Sequence, residues 1–166
     1  MNPQSPDDAP DFDLRAFLLG SWTLERTLLD RATGTQGSFT GAVHFTETTD
    51  DDGGLRLREE GTVFWASVPG GPAGTPFTGP ASREYLLRPT GAPDTMDMFF
   101  PDGRPFHRMG FGPRSNRDQH WCDPDSYRVN YTRTGPDEFR YEWDVTGPAK
   151  NQLLTSVLRR TTDAAA

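Results

Sequence analysis

The sequence predicts an all-β fold, a single antiparallel up-and-down β-barrel preceded by a short N-terminal helix. Apolar and polar residues alternate along many short stretches, which is typical of strands with one buried face. The 17 Gly and 15 Pro residues punctuate these stretches, where they favour turns. A chain of 166 residues is long enough for one domain with its own core. We predict a disordered lead over 1–10, a barrel over 11–161 and a frayed tail over 162–166.

The first element is the helix. Asp11 or Asp13 can cap its first turn, and Leu14, Phe17 and Leu18 follow at spacings that place them on one face. Gly20 then favours an end to the helix.

The strands follow as a series of alternating stretches separated by turn signals. The predicted strands cover 22–28, 39–45, 55–67, 83–88, 94–100, 106–111, 119–122, 127–132, 139–145 and 151–161. Closing such a meander into a barrel removes sheet edges that would otherwise aggregate. Eight to ten strands leave an interior that is filled by side chains or holds one small ligand.

Three connections bear on a possible site. The segment 50–54 predicts an acidic hairpin loop, and the Pro- and Gly-rich segment 69–80 predicts a longer loop at the barrel mouth. The third is the turn 112–117, across which we expect the strands 106–111 and 119–122 to pair.

A Gly-x-Trp motif opens the first strand, and two arginines end the last. Gly20-Ser21-Trp22 after a short helix resembles the start of lipocalin and calycin barrels. In those folds the Trp plugs the closed end and an Arg from the last strand packs over it. The resemblance implies that Trp22 and Arg160 close this barrel.

Longer motifs resemble one particular family. They are Phe17-Leu-x-Gly20-x-Trp22-x-x-x-Arg26, Gly37-x-Phe39-x-Gly41, Phe100-Pro-Asp-Gly-Arg-Pro-Phe-His107, His120-x-Cys122-x-x-Asp125-x-Tyr127 and Trp143-x-Val-x-Gly147-Pro148-x-Lys150, with a closing Arg160. The family consists of uncharacterised bacterial and fungal proteins, a domain of unknown function with a lipocalin-like fold. The resemblance implies the fold and no established activity.

Composition narrows the classes of partner. A net charge of -7 without a basic stripe argues against nucleic acid and against anionic membranes as binding partners.

No apolar run is long enough to span a bilayer, and the first residues lack the pattern of a secretory signal. A single Cys fits a reducing compartment. These features predict a cytoplasmic protein.

The leading functional hypothesis is non-enzymatic binding of a small, largely apolar and possibly acidic ligand inside the barrel. Arg26 shares the core face of the first strand with Trp22 and Leu24, and a buried Arg needs an anionic partner. That partner is either the ligand or a structural carboxylate, namely Glu59, Glu60 or Glu84. The predicted ligand contacts are Arg26, Met98, Phe100, His107, Tyr127, Trp143 and Lys150, with no catalytic residue.

Two alternatives remain open. His107, His120 and Cys122 could bind a metal or haem, because imidazole and thiolate are common ligands of zinc, copper and iron. A Cys–His nucleophilic pair is disfavoured because no helix N-terminus or oxyanion hole accompanies Cys122.

The second open alternative is a filled barrel that acts through its surface, for example as a homodimer. Only the metal or haem hypothesis calls for a cofactor.

Overall fold

One helix and ten strands make up the described chain. The computed structural model describes residues 12–50, 52–69, 71–72 and 74–162, so the predicted lead 1–10 and nearly all of the predicted tail 162–166 lie outside it. The elements are α1 Leu14–Leu18, β1 Gly20–Asp30, β2 Thr35–Glu47, β3 Leu55–Trp65, β4 Phe77–Pro89, β5 Thr95–Phe99, β6 Pro105–Gly110, β7 Arg117–Cys122, β8 Asp125–Gly135, β9 Glu138–Thr146 and β10 Asn151–Arg160.

The strands form one antiparallel sheet that closes into a barrel, as predicted. Its order is β6-β5-β4-β3-β2-β1-β10-β9-β8-β7. Every ladder joins strands that are neighbours in sequence, apart from the ladder between β1 and β10. The alternation of apolar and polar residues in the sequence corresponds to an alternation of buried and exposed side chains along the strands. In β1, Trp22, Leu24 and Arg26 are buried, whereas Thr23 and Glu25 are exposed.

The helix and the start of β1 cover one end of the barrel, which we call the closed end. Asp13 caps α1 by accepting a hydrogen bond from the Ala16 amide at 3.0 Å. The Trp22 indole donates to the Leu18 carbonyl at 2.8 Å. The Arg160 guanidinium lies 4.3 Å above the Trp22 ring and donates to the Phe17 carbonyl at 2.9 Å. Helix, first strand and last strand are thereby held together.

Two glycines let β2 and β3 approach each other closely. Gly41 lies directly opposite Gly61 in the ladder. A Cβ atom on Gly41 would overlap the Glu60 carbonyl and come within 2.8 Å of the Gly61 Cα. The overlap is with backbone, so a side chain cannot relieve it by rotating.

We therefore expect Gly41→Ala to lower the free energy of unfolding by about 1–3 kcal/mol, the usual effect of overpacking. Urea denaturation measures the change. Gly91→Ala is the matched control, because no atom of the described residues lies within 4 Å of a Cβ atom there. Equal stability of the two variants would contradict the close approach.

The prediction of a loop over 69–80 is wrong for its last residues, because β4 begins at Phe77. Pro80 lies inside the strand, where a proline normally argues against strand structure. β4 pairs with β5 only through Leu86–Pro89, so Pro80 is not required to donate to a second neighbour. Its ladder partner in β3 is Thr62.

The predicted pairing of 106–111 with 119–122 is also wrong. Within the described residues β6 and β7 are the two ends of the sheet order, and no ladder joins them. The connection between them forms its own turn, in which the amides of Ser115 and Asn116 both donate to the Gly112 carbonyl. Across the resulting seam, the Arg108 amide donates to the Asp118 carboxylate instead of to a strand carbonyl.

Candidate functional site

The barrel encloses a cavity of about 290 Å³. Its wall is formed mainly by aromatic and aliphatic side chains from the inner faces of the strands. Cys122 lines the cavity and is exposed, so the cavity reaches the surface beside the turn between β7 and β8. That turn lies at the end opposite α1, which we call the open end. The interior is therefore open, not filled by its own side chains.

Aromatic rings form one side of the cavity. Phe106 stacks on Phe100 with ring centroids 4.6 Å apart, and it also contacts Trp143 at 5.2 Å and Tyr85 at 5.3 Å. The His120 ring lies 5.2 Å from Phe106 and so adds a side chain from across the seam. These rings present flat apolar surface to anything bound in the cavity.

A buried ion pair supports another part of the wall, where Glu59 lines the cavity and Arg26 lies behind it. Arg26 and Glu59 are only 5% and 4% exposed, respectively. Two parallel hydrogen bonds join them, from Arg26 Nη1 to Glu59 Oε1 at 2.6 Å and from Arg26 Nη2 to Glu59 Oε2 at 2.9 Å. Arg26 also donates to Ser156 Oγ at 2.8 Å and to the Tyr141 hydroxyl at 2.6 Å. Every nitrogen of this guanidinium is therefore paired.

Arg83 extends the ion pair into a three-residue cluster. Its Nε donates to Glu59 Oε1 at 3.1 Å, so one carboxylate is shared by two guanidinium groups. Burial acts to raise the pKa of Glu59, but the hydrogen bonds from Arg26 and the charge of Arg83 outweigh it. The pKa of Glu59 is consequently below its ordinary value, and this carboxylate is ionised at neutral pH.

His107 is the buried imidazole of the cavity. Its Nε2 lies 2.7 Å from the Tyr131 hydroxyl, and its Nδ1 has no hydrogen-bond partner within the described chain. A hydrogen bond from the Tyr131 hydroxyl to Nε2 uses both the hydroxyl proton and the Nε2 lone pair. Since Nε2 then accepts, we assign the proton of the neutral ring to Nδ1. Burial lowers the pKa of His107 from 6.5 to about 4, which keeps the ring neutral near pH 7.

The sequence model of the family of unknown function DUF6314 matches residues 18–160. The chain belongs to the DUF6314 family. No curated protein matches it in sequence. None of the helices in the described parts of this DUF6314 protein combines the length and apolar character needed to cross a membrane.

Solved structures align with the DUF6314 barrel. An S-type phycobiliprotein lyase from Guillardia theta aligns with a TM-score of 0.59 and 11% identity over 90% of this chain and 91% of the lyase. A DUF3598 protein of unknown function from Nostoc punctiforme aligns with a TM-score of 0.45 and 9% identity over 89% of this chain and 49% of that one. A redesigned β-barrel bound to DFHBI gives 0.42 and 16% over 90% and 100%. At 11% identity the likeness to the lyase concerns the fold alone.

The predicted ligand contacts of the DUF6314 barrel divide into two groups. Five of them line the cavity: Met98, Phe100, His107, Tyr127 and Trp143. The other two do not. Arg26 lies behind Glu59 and has the carboxylate partner that the sequence offered as the alternative to a ligand. Lys150 is at the rim, where its ammonium group donates to the Tyr127 hydroxyl at 3.1 Å and lies 3.3 Å from an Asp125 oxygen.

The proposed metal ligands of this DUF6314 member all touch the cavity, but they do not form a cluster. The His107 Nε2 is bound to Tyr131, and Cys122 lies at the surface. In the part of the chain that the structure describes, no group of three His, Cys, Asp or Glu side chains is arranged to hold a metal ion.

Sequence reasoning missed Arg83, Tyr85 and Phe106. Arg83, Tyr85 and Leu87 alternate along β4, a signal that could have placed Arg83 on the inner face. In the ladder Arg83 also lies directly opposite Glu59. That pairing could not be predicted from the sequence, because the predicted strand began only at residue 83 and had no assigned neighbouring strand.

Proposed function

We propose that this DUF6314 protein binds one small, largely apolar molecule inside the barrel and does not alter it chemically. The observation that carries the proposal is the cavity of about 290 Å³ with its mainly apolar wall. Ligand sites in proteins are concave, mostly apolar and supplied with a few polar groups, and this volume lies at the small end of their range. The expected ligand is therefore compact.

The rings around the cavity favour a flat ligand. Phe100 and Phe106 stack on each other, and Trp143 and Tyr85 meet Phe106 at steeper angles, so the site offers both faces and edges of rings. Offset-stacked and edge-to-face contacts are the arrangements that aromatic rings prefer. Met98 adds a flexible, polarizable side chain that can adapt to the outline of the ligand.

A direct test uses N-phenylnaphthylamine, a neutral aromatic probe that becomes fluorescent in apolar surroundings. We expect saturable binding of one probe per protein. Leu154 lines the cavity, so Leu154→Trp should fill the site and weaken binding by about tenfold or more. Fluorescence titration measures both dissociation constants.

Leu153→Trp is the matched control. Leu153 is the next residue on β10 and therefore points to the outer face of the barrel. It carries the same added volume without entering the cavity, and its binding should equal that of the wild type. The proposal fails if the wild-type protein does not bind the probe, or if both tryptophan variants bind it as well as the wild type.

A further inference from the structure

The charged part of the cavity wall indicates what kind of molecule the barrel accepts. We infer that the ligand is an organic anion whose acidic group binds the terminal amino groups of Arg83. This inference deepens the proposed function and rests on it, since it concerns the same cavity.

The charged cluster beside the cavity is not electrically balanced. Arg26, Glu59 and Arg83 form one connected cluster in which two guanidinium groups share a single carboxylate. Their formal charges leave the cluster one unit positive. Glu59 and Arg83 both line the cavity, so the excess charge is presented to its interior. The whole chain carries a net charge of -7, so this positive site is a local feature of the barrel.

Only one of the two guanidinium groups can accept a ligand. Arg26 is 5% exposed, and its nitrogens are occupied by Glu59, Ser156 and Tyr141. Within the described chain Arg83 uses only its Nε, in the bond to Glu59. Its two terminal amino groups retain their donors. Arg26 is thus a positioning residue, which holds Glu59 where it can orient Arg83.

The Arg83 guanidinium is accessible to an acidic group and is held in place. The side chain of Arg83 is 38% exposed, and β5 does not pair with the part of β4 that carries it. An acidic group can therefore reach the guanidinium without displacing a ladder. The guanidinium lies 5.6 Å from the centre of the Tyr85 ring, which limits its movement. A planar guanidinium matches carboxylate oxygens well, and charge-assisted bonds of this kind are strong.

The experiment compares two probes that share one ring system. Anilinonaphthalenesulfonate is N-phenylnaphthylamine with a sulfonate group added. For the wild-type protein we expect the anionic probe to bind more tightly than the neutral one. Arg83→Met should weaken binding of the anionic probe by about 10- to 100-fold, and it should change binding of the neutral probe by less than about threefold.

Two further variants complete the test. Arg128 is exposed on β8 and does not line the cavity, so Arg128→Met removes the same charge elsewhere and should bind both probes like the wild type. Arg83→Lys keeps the charge and should retain part of the preference for the anion. The inference is overturned if the anionic probe binds no better than the neutral one, or if Arg83→Met retains its affinity for the anion. It is also overturned if Arg83→Met and Arg83→Lys each lose affinity for the anionic probe and for the neutral probe to the same extent. Failure of the proposed function looks different, because the neutral probe itself would then not bind the wild-type protein.

Discussion

Glu59→Gln is expected to lower the free energy of unfolding by about 3–5 kcal/mol, the usual effect of removing one partner from a buried ion pair. The amide keeps the size of the side chain but removes its charge. Arg26, only 5% exposed, would remain charged inside the barrel with a neutral partner. Arg83 would lose the same partner. Urea denaturation at neutral pH measures the effect.

Glu84→Gln is the matched control for this change. Glu84 follows Arg83 on β4 but points outward, where it pairs with Arg58 at 2.9 Å and is 37% exposed. Ion pairs at the surface contribute little, so this variant should lose less than about 1 kcal/mol. Combining Glu59→Gln with Arg26→Met removes both charges and should restore part of the lost stability. If Glu59→Gln is no more destabilised than Glu84→Gln, the buried cluster does not stabilise the barrel.

Between pH 6.5 and pH 4 the protein is expected to lose about 3 kcal/mol of stability through His107 alone. Burial lowers the pKa of His107 from 6.5 to about 4, and the nearby Asp118 opposes that shift while His120 adds to it. In this range the unfolded chain binds a proton that the native protein does not, so acid favours unfolding. A pKa difference of about 2.5, at roughly 1.4 kcal/mol for each unit, corresponds to roughly 3 to 4 kcal/mol for the complete titration, most of which falls between these two pH values.

His107→Gln tests the assignment because glutamine does not titrate. Its free energy of unfolding should depend less steeply on pH between 4 and 6.5, with the slope reduced by one proton. Above pH 7 the wild type and the variant should show the same pH dependence, which provides an internal control. The lowered pKa of Glu59 acts in a lower range, since its stabilising effect is present above 4.5 and is lost below that value. Parallel curves for the two proteins over the whole range would rule out a neutral, buried His107.

The parts of the fold that were predictable are those set by local patterns. The alternation of Trp22, Leu24 and Arg26 in β1 identified the core face, and turn residues marked most strand ends. The Glu59 partner of Arg26 was among the carboxylates that the sequence offered, but its choice required the register of β1, β2 and β3. Register follows from the whole barrel, not from one strand.

The parts that were missed depend on contacts across the sheet. Pro80 concealed the start of β4, because a proline is compatible with a strand only where its missing donor is not needed. The turn after Gly110 suggested a hairpin, yet it uses its amides internally and leaves β6 and β7 as sheet ends. Arg83 could therefore not be predicted as a site residue, because it lies on a strand whose neighbours could not be assigned from the sequence.

The single ladder between distant strands has a consequence for biosynthesis. β1–β6 and β7–β10 each form a run of strands that are neighbours in sequence, and among the described strands only the ladder between β1 and β10 joins the two runs. During translation β1 can pair with β2, but it cannot form its second ladder before β10 leaves the ribosome, after the other nine described strands. Until then its unpaired edge is exposed, and such edges promote association with other chains. Residues 151–160 therefore complete the barrel and also cover the β1 edge through which the incomplete chain could associate with other chains.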